Sequence, residues 1–329
     1  MSHRIRVGVL RGGPSNEHEV SMASGAAVLA ALRDRLHERY AAHDIVIDRS
    51  STWFVDGVKT DPGDAAKRLD LAFNALHGAY GEDGKLQAFL EAHRLPFTGS
   101  GSLGSALGMS KVLSKKVFKD HGIRSPYFMT VSSALIHSDP EAAAHSLFES
   151  FMMPAIVKPA SSGSSVGVTK VAYYDGLASA LSEAAKHSDE VVIEEFIPGI
   201  EATCGVIEGF RGKELYALPP IEIRPKSSFF DYSAKYQGLS EEIVPASFSA
   251  DLKMAVESLA AKIHRAFGLR HYSRSDFIIH PRRGIYALEV NTLPGLTGES
   301  LMPKALRAVG SDTAEFVDHL IALALAMAR

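Results

Sequence analysis

The first hundred residues alternate between short apolar runs and amphipathic helical patterns, and this alternation constrains the fold more than any other feature of the chain. Residues 4 to 10 form an apolar run that breaks at Gly12-Gly13-Pro14, before a helix whose apolar side chains share one face. Further strands are predicted at 44 to 48 and 70 to 76, with a helix near 84 to 93. Because strands that alternate with helices pair in parallel, the sequence predicts an α/β fold with an N-terminal parallel-sheet domain.

The rest of the chain carries a different pattern, which predicts two further units. A turn-rich stretch at 98 to 102 precedes predicted helices near 105 to 121 and 140 to 150 and predicted strands at 155 to 158 and near 165 to 173. From about 195 the pattern is mostly strands, followed by a helix at 250 to 267, two strands near 271 to 280 and 284 to 290, and closing helices. We therefore expect three domains, at residues 1–102, 103–194 and 195–329, in a mixed α/β and α+β architecture.

The composition argues against several classes of function. The 329 residues carry a formal net charge of only −3, so a polyanionic ligand has to be held by a local group of basic side chains, and no nucleic-acid partner is expected. The single cysteine, Cys204, has no partner for an internal disulfide or a zinc site, which fits a reducing compartment. The N-terminus shows no export signal, and the apolar tail at 320–327 is far shorter than the roughly 20 residues that cross a bilayer. We expect a cytoplasmic protein without a membrane partner.

A glycine-serine loop follows a predicted strand that carries a lysine. Residues 161 to 167, Ser-Ser-Gly-Ser-Ser-Val-Gly, lie between the strand that ends in Lys158-Pro159 and the next strand. The glycines of such a loop permit close approach of an anion, and its backbone N–H groups and hydroxyls can turn toward phosphate. Composition alone slightly favours a flexible connector. Lys158 favours phosphate binding, because a lysine on an apolar strand needs an anionic partner or an exit to solvent.

Two acidic residues flank a predicted hairpin turn. The turn is predicted at 281–284, with Pro281 facing Gly284. This pairing puts Asp276 directly opposite Glu289, with Asn291 further along the same face. Like charges at such close range repel unless a cation lies between them, and three oxygen ligands suit Mg²⁺. The alternative is a solvated surface pair in a different register.

Four other features each have a functional and a structural interpretation. Arg274, opposite Asn291 in the same hairpin, is either a structural counterion or a fork for a carboxylate, a phosphate or a developing oxyanion. The polar and aromatic segment 231–238 is either a lid or a surface loop. Glu17, at the start of the first helix, is by default a capping residue. His77 follows a predicted parallel strand, where ligands of α/β sheets bind, but a core histidine is almost as good an interpretation.

These features occur in an order that resembles the D-alanyl-D-alanine ligase family of ATP-grasp carboxylate-amine ligases. The resemblance covers nearly the whole chain and rests on five stretches: Gly12 to Ser21, Ala75 to Gly84, Val157 to Gly167, Asp231 to Tyr236, and Leu288 to Gly295. Together they are far more specific than any one of them alone. The resemblance implies three domains, with ATP between the central and C-terminal ones and the amino acids where all three meet. It also implies a homodimer.

The resemblance implies a nucleotide site and a metal site on named residues. The ATP phosphates would be bound by Lys111 and Lys158, with further contacts from Ser164, Ser165 and Lys235. The adenine site would be lined by Glu194, Glu195, Phe196 and Ile197, and Glu201 would bind the ribose. Two Mg²⁺ ions, for which Mn²⁺ can substitute, would be bound by Asp276, Glu289 and Asn291. Glu195 departs from the family, in which lysine is common at this position, and this leaves the nucleotide affinity open.

The resemblance also implies that two D-alanine molecules are joined. The first would be held by Glu17 at its ammonium group, beside Val20, and by His77 near its carboxylate, and the second by Ser300 and Leu301 at its carboxylate. Ser164 and Tyr236 would join Glu17 in a hydrogen-bond network that closes the lid. Arg274 and the backbone N–H of Gly295 would stabilise the oxyanion. The implied reaction is phosphorylation of the first carboxylate by ATP, attack by the second amine and loss of phosphate, which supplies peptidoglycan synthesis.

Two other functions remain open at the level of sequence. A ligase for another acceptor, such as D-lactate or D-serine, shares the same fold, although the Lys235-Tyr236 pair is typical of the dipeptide type. A noncatalytic nucleotide-binding regulator is the alternative from a different class. Such a regulator would have no need of the metal ligands, both lysines and Arg274 together.

Overall fold

The strands of the chain form three sheets with helices packed on them. A computed structural model describes residues 4–148, 150–161, 166–225 and 240–327, and within these ranges we number the strands β1 to β15 and the α-helices α1 to α11. The mixed α/β class predicted from the sequence is confirmed.

The first sheet is parallel at its centre, as the alternating pattern predicts. Its strands are β1 (Ile5–Gly12), β2 (Tyr40–Ile47), β3 (Trp53–Val55), β4 (Val58–Lys59) and β5 (Leu71–Asn74), in the order β4-β3-β2-β1-β5. β1 pairs in parallel with both β2 and β5, and its Val7, Val9 and Leu10 are fully buried, as expected for a strand that is covered on both faces. The sequence pattern does not predict the antiparallel β3 and β4, because strands of three and two residues are too short to show a period.

The second sheet is antiparallel throughout. Its strands are β6 (Phe128–Ser132), β7 (Ala155–Pro159), β8 (Thr169–Val171) and β9 (Glu190–Glu195), in the order β6-β9-β7-β8. The α-helices that precede β9 in the described part of the chain are α1 (His18–Ala30), α2 (Pro62–Lys67), α3 (Lys85–Ala92), α4 (Ser102–Met109), α5 (Lys111–Asp120), α6 (Ser133–Ser138), α7 (Pro140–Phe148) and α8 (Leu177–Ala185). The single helix predicted near 105 to 121 is wrong. The chain turns extended at Ser110, whose side chain caps α5 by accepting the N–H of Leu113.

The third sheet carries most of the C-terminal residues. Its strands are β10 (Ile200–Glu208), β11 (Leu215–Ala217), β12 (Ile221–Pro225), β13 (Ser240–Ile243), β14 (Tyr272–His280) and β15 (Gly284–Asn291). The order is β13-β12-β10-β14-β15, and β11 also pairs with β10. The remaining helices are α9 (Ala250–Ala266), α10 (Leu301–Ala308) and α11 (Thr313–Met327). α5 packs on this sheet, and the ring of its Phe118 lies 5.3 Å from that of Phe267.

The last helix, α11, completes the core of the first sheet. Phe316, Leu320 and Ile321 of α11 are fully buried in one cluster with Val7 and Phe73 of the first sheet. The closing helix expected from the apolar tail therefore exists and has a packing role. None of the helices in the described part of the chain is long and apolar enough to cross a bilayer. The three-domain division at 102 and 194 remains a prediction.

Candidate active site

A large cleft between the sheets collects the side chains that the sequence singles out. Its volume is about 1090 Å³. The predicted site residues that line it are Glu17, Val20, His77, Lys111, Lys158, Glu194, Glu195, Phe196, Ile197, Glu201, Arg274, Asp276, Glu289, Asn291, Gly295, Ser300 and Leu301. The predicted residues Ser164, Ser165, Lys235 and Tyr236 lie outside the described residues. The structure thus brings together, from elements far apart in sequence, every predicted site residue that it describes.

A buried carboxylate and two lysines form the floor of the cleft. Glu194 on β9 lies 2.8 Å from the Nζ of Lys158 on β7 and 3.0 Å from the Nζ of Lys115 on α5. The side chains of Glu194 and Lys115 are only 3% and 1% exposed. Glu194 and Lys158 both line the cleft, and Lys115 does not. Two cations on one anion leave a net positive charge at this point, so the floor of the cleft suits an anionic ligand.

Burial and pairing oppose each other in setting the charges of this cluster. Desolvation by burial, the largest influence, favours a neutral Glu194, but Lys115 and Lys158 outweigh it and lower the pKa of the carboxyl to about 2. Burial also lowers the pKa of Lys115 to about 8, against the attraction of Glu194. For Lys111, which lines the cleft nearby, burial lowers the pKa although Glu289 and Glu194 favour the charged form. An anion in the cleft would offset these desolvation costs.

The hairpin of β14 and β15 carries the predicted metal ligands. Asp276 lies directly opposite Glu289, as predicted, but the predicted turn is wrong, because Gly284 pairs with His280 and not with Pro281. A bulge next to Asp276 inserts Leu288 as an extra residue in β15. The longer turn and the bulge shift the register in opposite senses, which restores the predicted pairing of the two carboxylates.

A pair of hydrogen bonds holds Asp276 to Arg274 on the same strand. Nε of Arg274 donates to one carboxylate oxygen at 2.9 Å, and Nη2 donates to the other at 3.0 Å. The hydroxyl of Thr203, on the neighbouring β10, donates to the first of these oxygens at 2.5 Å. Burial opposes the charge of Arg274, which is 7% exposed, but Asp276 and Glu289 outweigh burial and raise the pKa of the guanidinium. These hydrogen bonds fix the orientation of the Asp276 carboxylate.

The donor set on this hairpin fits a divalent metal ion. Asp276, Glu289 and Asn291 are half-buried, lie on two adjacent strands and all line the cleft beside Lys111 and Lys158. Two carboxylates and an amide oxygen are hard ligands of the kind that Mg²⁺ takes together with phosphate oxygens. The chemistry of these residues therefore agrees with the metal site predicted from the sequence.

Glu17 stands at the N-terminus of α1 without capping it. Its backbone occupies the N-cap position, but its side chain makes no capping hydrogen bond and lines the cleft. A Cβ on Gly78 would lie 2.7 Å from the Oε2 of Glu17, and Gly78 has a φ of +71°, so glycine is required there. The default interpretation of Glu17 as a capping residue is therefore wrong, because its side chain makes no hydrogen bond to the helix N-terminus.

His77 and a second buried carboxylate lie next to Glu17. His77 is 5% exposed, and its Nδ1 lies 3.7 Å from Glu82, which accepts the N–H of Gly78 at 2.9 Å. Burial, followed by the proximity of Glu17, raises the pKa of Glu82 although His77 and the Gly78 N–H act in the opposite direction. Two carboxylates and an imidazole at one end of the cleft suit an ammonium group beside a carboxylate.

The N-terminus of α10 also lines the cleft. Ser300 occupies the N-cap position, and its hydroxyl lies 2.8 Å from that of Thr297. A Cβ on Gly295 would come within 2.8 Å of the Ser300 Oγ, so the loop passes close to this hydroxyl, which would have to move to admit a larger residue. A helix N-terminus attracts a carboxylate, which is the role that the sequence predicts for Ser300 and Leu301.

Sequence reasoning missed several residues that shape the cleft. Glu82 lines it, and Lys115, Thr203 and Ser24 hold lining residues in place. Glu82 lies within the stretch Ala75 to Gly84 and was within reach of the motif. The other three carry no signal in the pattern, because their partners come from other elements.

The architecture and the cleft together define an ATP-grasp protein. The family model "D-ala D-ala ligase C-terminus" matches residues 117–322, and the model "D-ala D-ala ligase N-terminus" matches residues 6–64 and 55–100. The chain belongs to the D-alanine–D-alanine ligase family. Members of this family use ATP, generally with a divalent metal ion.

Individual relatives agree with this assignment along the whole chain. The chain is 40% identical to a D-alanine–D-alanine ligase of Desulforamulus reducens over 324 residues, which is 98% of this chain and 99% of the relative. It is 40% identical to that of Geotalea uraniireducens over 320 residues, which is 97% of this chain and 95% of the relative.

Solved structures show the same fold. The VanG D-Ala:D-Ser ligase of Enterococcus faecalis superposes with a TM-score of 0.85 at 31% identity, covering 98% of this chain and 100% of that one. The D-alanyl-alanine synthetase A of Vibrio cholerae gives a TM-score of 0.84 at 27% identity, covering 99% and 100%.

Proposed function

We propose that the chain joins two D-alanine molecules to D-alanyl-D-alanine through an acyl phosphate, with ATP converted to ADP and phosphate, and so supplies peptidoglycan synthesis in the cytoplasm. The observation that carries the proposal is the single cleft in which the lysine cluster, the carboxylate hairpin and the Glu17–His77 end meet. The lysine cluster suits phosphate, the carboxylate hairpin suits a metal ion, and the Glu17–His77 end suits an amino acid.

The nucleotide would lie over the lysine floor. Lys111 and Lys158 would bind its phosphates, since both line the cleft and both are buried among carboxylates. The base would lie against the end of β9, at Glu194 to Ile197, and Glu201 at the start of β10 would bind the ribose. Ser164, Ser165 and Lys235 remain proposed phosphate ligands.

Asp276, Glu289 and Asn291 would hold two Mg²⁺ ions, with Mn²⁺ as a substitute. When bound, the metal would neutralise charge on the phosphate that is transferred. Arg274 would hold the Asp276 carboxylate in orientation for this purpose. Arg274 and the N–H of Gly295, both in the cleft wall, would then donate to the oxyanion that develops when the amine attacks.

The two amino acids would lie next to each other in the cleft. Glu17 would hold the ammonium of the first D-alanine, beside Val20 and with His77 near its carboxylate, while Ser300 and Leu301 at the N-terminus of α10 would hold the carboxylate of the second. Holding the amine and the acyl carbon in one enclosed site replaces a bimolecular encounter with an oriented one. Ser164 and Tyr236 are proposed to close this site with Glu17, which excludes water from the activated carboxylate.

The test is phosphate release from ATP in the presence of single D- and L-amino acids. Release that requires D-alanine and yields the dipeptide supports the proposal, whereas nucleotide binding with no amino-acid-dependent release would identify a noncatalytic regulator. Competition of D-alanine with D-lactate between pH 6 and 9 separates amine from hydroxyl acceptors, because only the amine has to lose an ammonium proton before attack. D-Serine is also an amine, so competition with it is decided by the identity of the product and not by the pH. Predominant D-alanyl-D-lactate over that range contradicts the dipeptide assignment.

We further propose domains at 1–102, 103–194 and 195–329 and a homodimer as the assembled form. The three sheets lie one in each proposed domain, which supports the division. Sedimentation velocity of the full chain tests the dimer.

A further inference from the structure

Ser24, in the middle of α1, connects the two walls of the cleft. It is fully buried, its Oγ lies 2.8 Å from the Nε2 of His77, and it accepts the N–H of Leu296 at 3.1 Å. His77 belongs to the proposed site of the first amino acid, and Leu296 follows Gly295, which also lines the cleft. One hydroxyl therefore joins the proposed site of the first amino acid to the loop that carries Gly295.

The direction of these hydrogen bonds follows from the donors available. The backbone N–H of Leu296 can only donate, so it occupies a lone pair of the Ser24 oxygen. The hydroxyl has one proton, and among the described residues the acceptor within its reach is Nε2 of His77. A buried hydroxyl without an acceptor is costly, so Ser24 donates to Nε2. In the neutral imidazole the proton is then on Nδ1.

This tautomer leaves a donor directed at the cleft. Nδ1 of His77 is 3.7 Å from the Oε1 of Glu82, which is longer than a good hydrogen bond. The same carboxylate oxygen already accepts the N–H of Gly78. The Nδ1–H is thus poised for an acceptor on a ligand, and a carboxylate is the acceptor that the proposed reaction brings to this end.

We propose that Ser24 is a positioning residue that holds His77 in the Nδ1–H tautomer and ties it to the loop at Leu296. His77 then donates to the carboxylate of the first amino acid. The link to Leu296 keeps the N–H of the neighbouring Gly295 in a fixed position relative to His77. The contact with the amino acid rests on the proposed function. The tautomer and the link to Leu296 do not.

Ser21 provides a matched control one turn earlier on the same helix. It is also fully buried, accepts the N–H of Gly12 at 2.8 Å and donates to the carbonyl of Ala75 at 2.9 Å. Ser21→Ala therefore removes a buried hydroxyl with two hydrogen-bond partners, as Ser24→Ala does, but both partners of Ser21 are backbone groups, so the contact with His77 stays in place. A loss shared by both variants is structural.

The first measurement is ¹⁵N NMR of the full chain labelled at the histidine rings, at a pH about two units above the ordinary histidine pKa near 6.5. The His77→Asn variant assigns the signals. We expect Nδ1 of wild-type His77 to carry the proton, and we expect Ser24→Ala, but not Ser21→Ala, to move the proton toward Nε2, the form that free histidine prefers. A proton on Nε2 in the wild type, or an unchanged tautomer in Ser24→Ala, overturns the proposal.

The second measurement is the KM of each D-alanine in steady-state kinetics. Ser24→Ala should raise the KM of the first D-alanine by about twofold to tenfold, the usual effect of one neutral hydrogen bond, and Ser21→Ala should not. Equal effects of the two variants would overturn the positioning role. If the wild type does not turn over D-alanine at all, the proposed function fails, while the NMR result still decides the tautomer.

Discussion

Lys115 is a single buried residue with a consequence for nucleotide binding. It lies behind Glu194 and does not line the cleft, so its role is to share the charge of Glu194 with Lys158. In Lys115→Met, the charge of Glu194 would be balanced against that of Lys158 alone. We therefore expect the affinity for ADP to fall by about tenfold, or about 1.4 kcal/mol, and the affinity for adenosine to fall less. Isothermal titration calorimetry with both ligands measures this difference.

Two variants control the experiment on Lys115. Lys116→Met removes the neighbouring exposed lysine and should leave both affinities unchanged. In a Glu194→Gln background the carboxylate charge is absent, so adding Lys115→Met should have little further effect on ADP. Equal weakening of ADP and adenosine, or full additivity of the two substitutions, would contradict the charge-sharing role.

The carboxylate of Glu289 faces that of Asp276 across the hairpin, where the two charges repel each other. Substitution of Glu289 should therefore have opposite effects on turnover and on stability. Glu289→Gln should reduce turnover by roughly a hundredfold or more, since it removes a metal-binding charge. Without metal, the thermal midpoint should hold or rise, because two facing carboxylates become one. Turnover at saturating Mg²⁺ and calorimetry without metal measure the two effects, with Glu141→Gln at an exposed position of α7 as the control. Turnover within a few-fold of wild type would refute the metal site.

At the scale of elements, the hairpin of β14 and β15 shows what a sequence pattern can and cannot predict. Alternation and turn residues predict the two strands and the pairing of Asp276 with Glu289, which the structure confirms. They do not predict the bulge at Leu288 or the pairing of Gly284 with His280, because a bulge depends on neighbouring strands and side chains. The pairing was predicted correctly from an incorrect turn, since the two departures compensate.

The contacts between elements were beyond the reach of the sequence for a similar reason. A helical period identifies α5, but it does not show that Lys115 meets a carboxylate on β9 or that Ser24 meets His77. Such pairs depend on how elements separated by dozens of residues pack. The family motifs made up for part of this, because they name residues such as Glu17 that the local pattern assigns to capping.

A buried histidine directly before β14 couples stability to pH. His271 has a φ of +64°, is 1% exposed, and its Nδ1 accepts the N–H of Gly99 at 3.0 Å. Burial lowers the pKa of His271 to about 4. Between pH 6.5 and 4 the unfolded chain therefore binds a proton that the folded chain does not, so this residue makes stability fall on acidification, by about 3 kcal/mol at most.

We expect His271→Asn to flatten the pH dependence of the free energy of unfolding between pH 6.5 and 4. Asparagine tolerates a positive φ and retains an oxygen that can accept the Gly99 N–H. Denaturant unfolding at a series of pH values provides the measurement, with His121→Asn at an exposed position as the control. The same slope in wild type and His271→Asn would show that His271 titrates normally.

At the scale of the whole molecule, the interface between α11 and the first sheet holds the two ends of the chain together. The hydroxyl of Tyr40, 2% exposed, donates to Asp318 at 2.6 Å, and the 57% exposed Arg39 contacts the other oxygen of the same carboxylate. We expect Tyr40→Phe to lower the free energy of unfolding by about 1 kcal/mol, and Arg39→Gln to change it much less. Chemical denaturation measures both, and equal losses would contradict the greater weight given to the buried contact.

The packing of α11 also sets an order of events during synthesis. The first sheet and α1, which carry Glu17, Ser24 and His77, leave the ribosome first, yet their core lacks Phe316, Leu320 and Ile321 until the last residues have been translated. The nascent chain therefore carries an open apolar surface for almost its entire length of translation, and the sheet next to the proposed site of the first amino acid receives its last helix only at the end of synthesis. A transcript truncated before codon 313 would encode every residue predicted to belong to the site and would still leave the first sheet without the helix that completes its core.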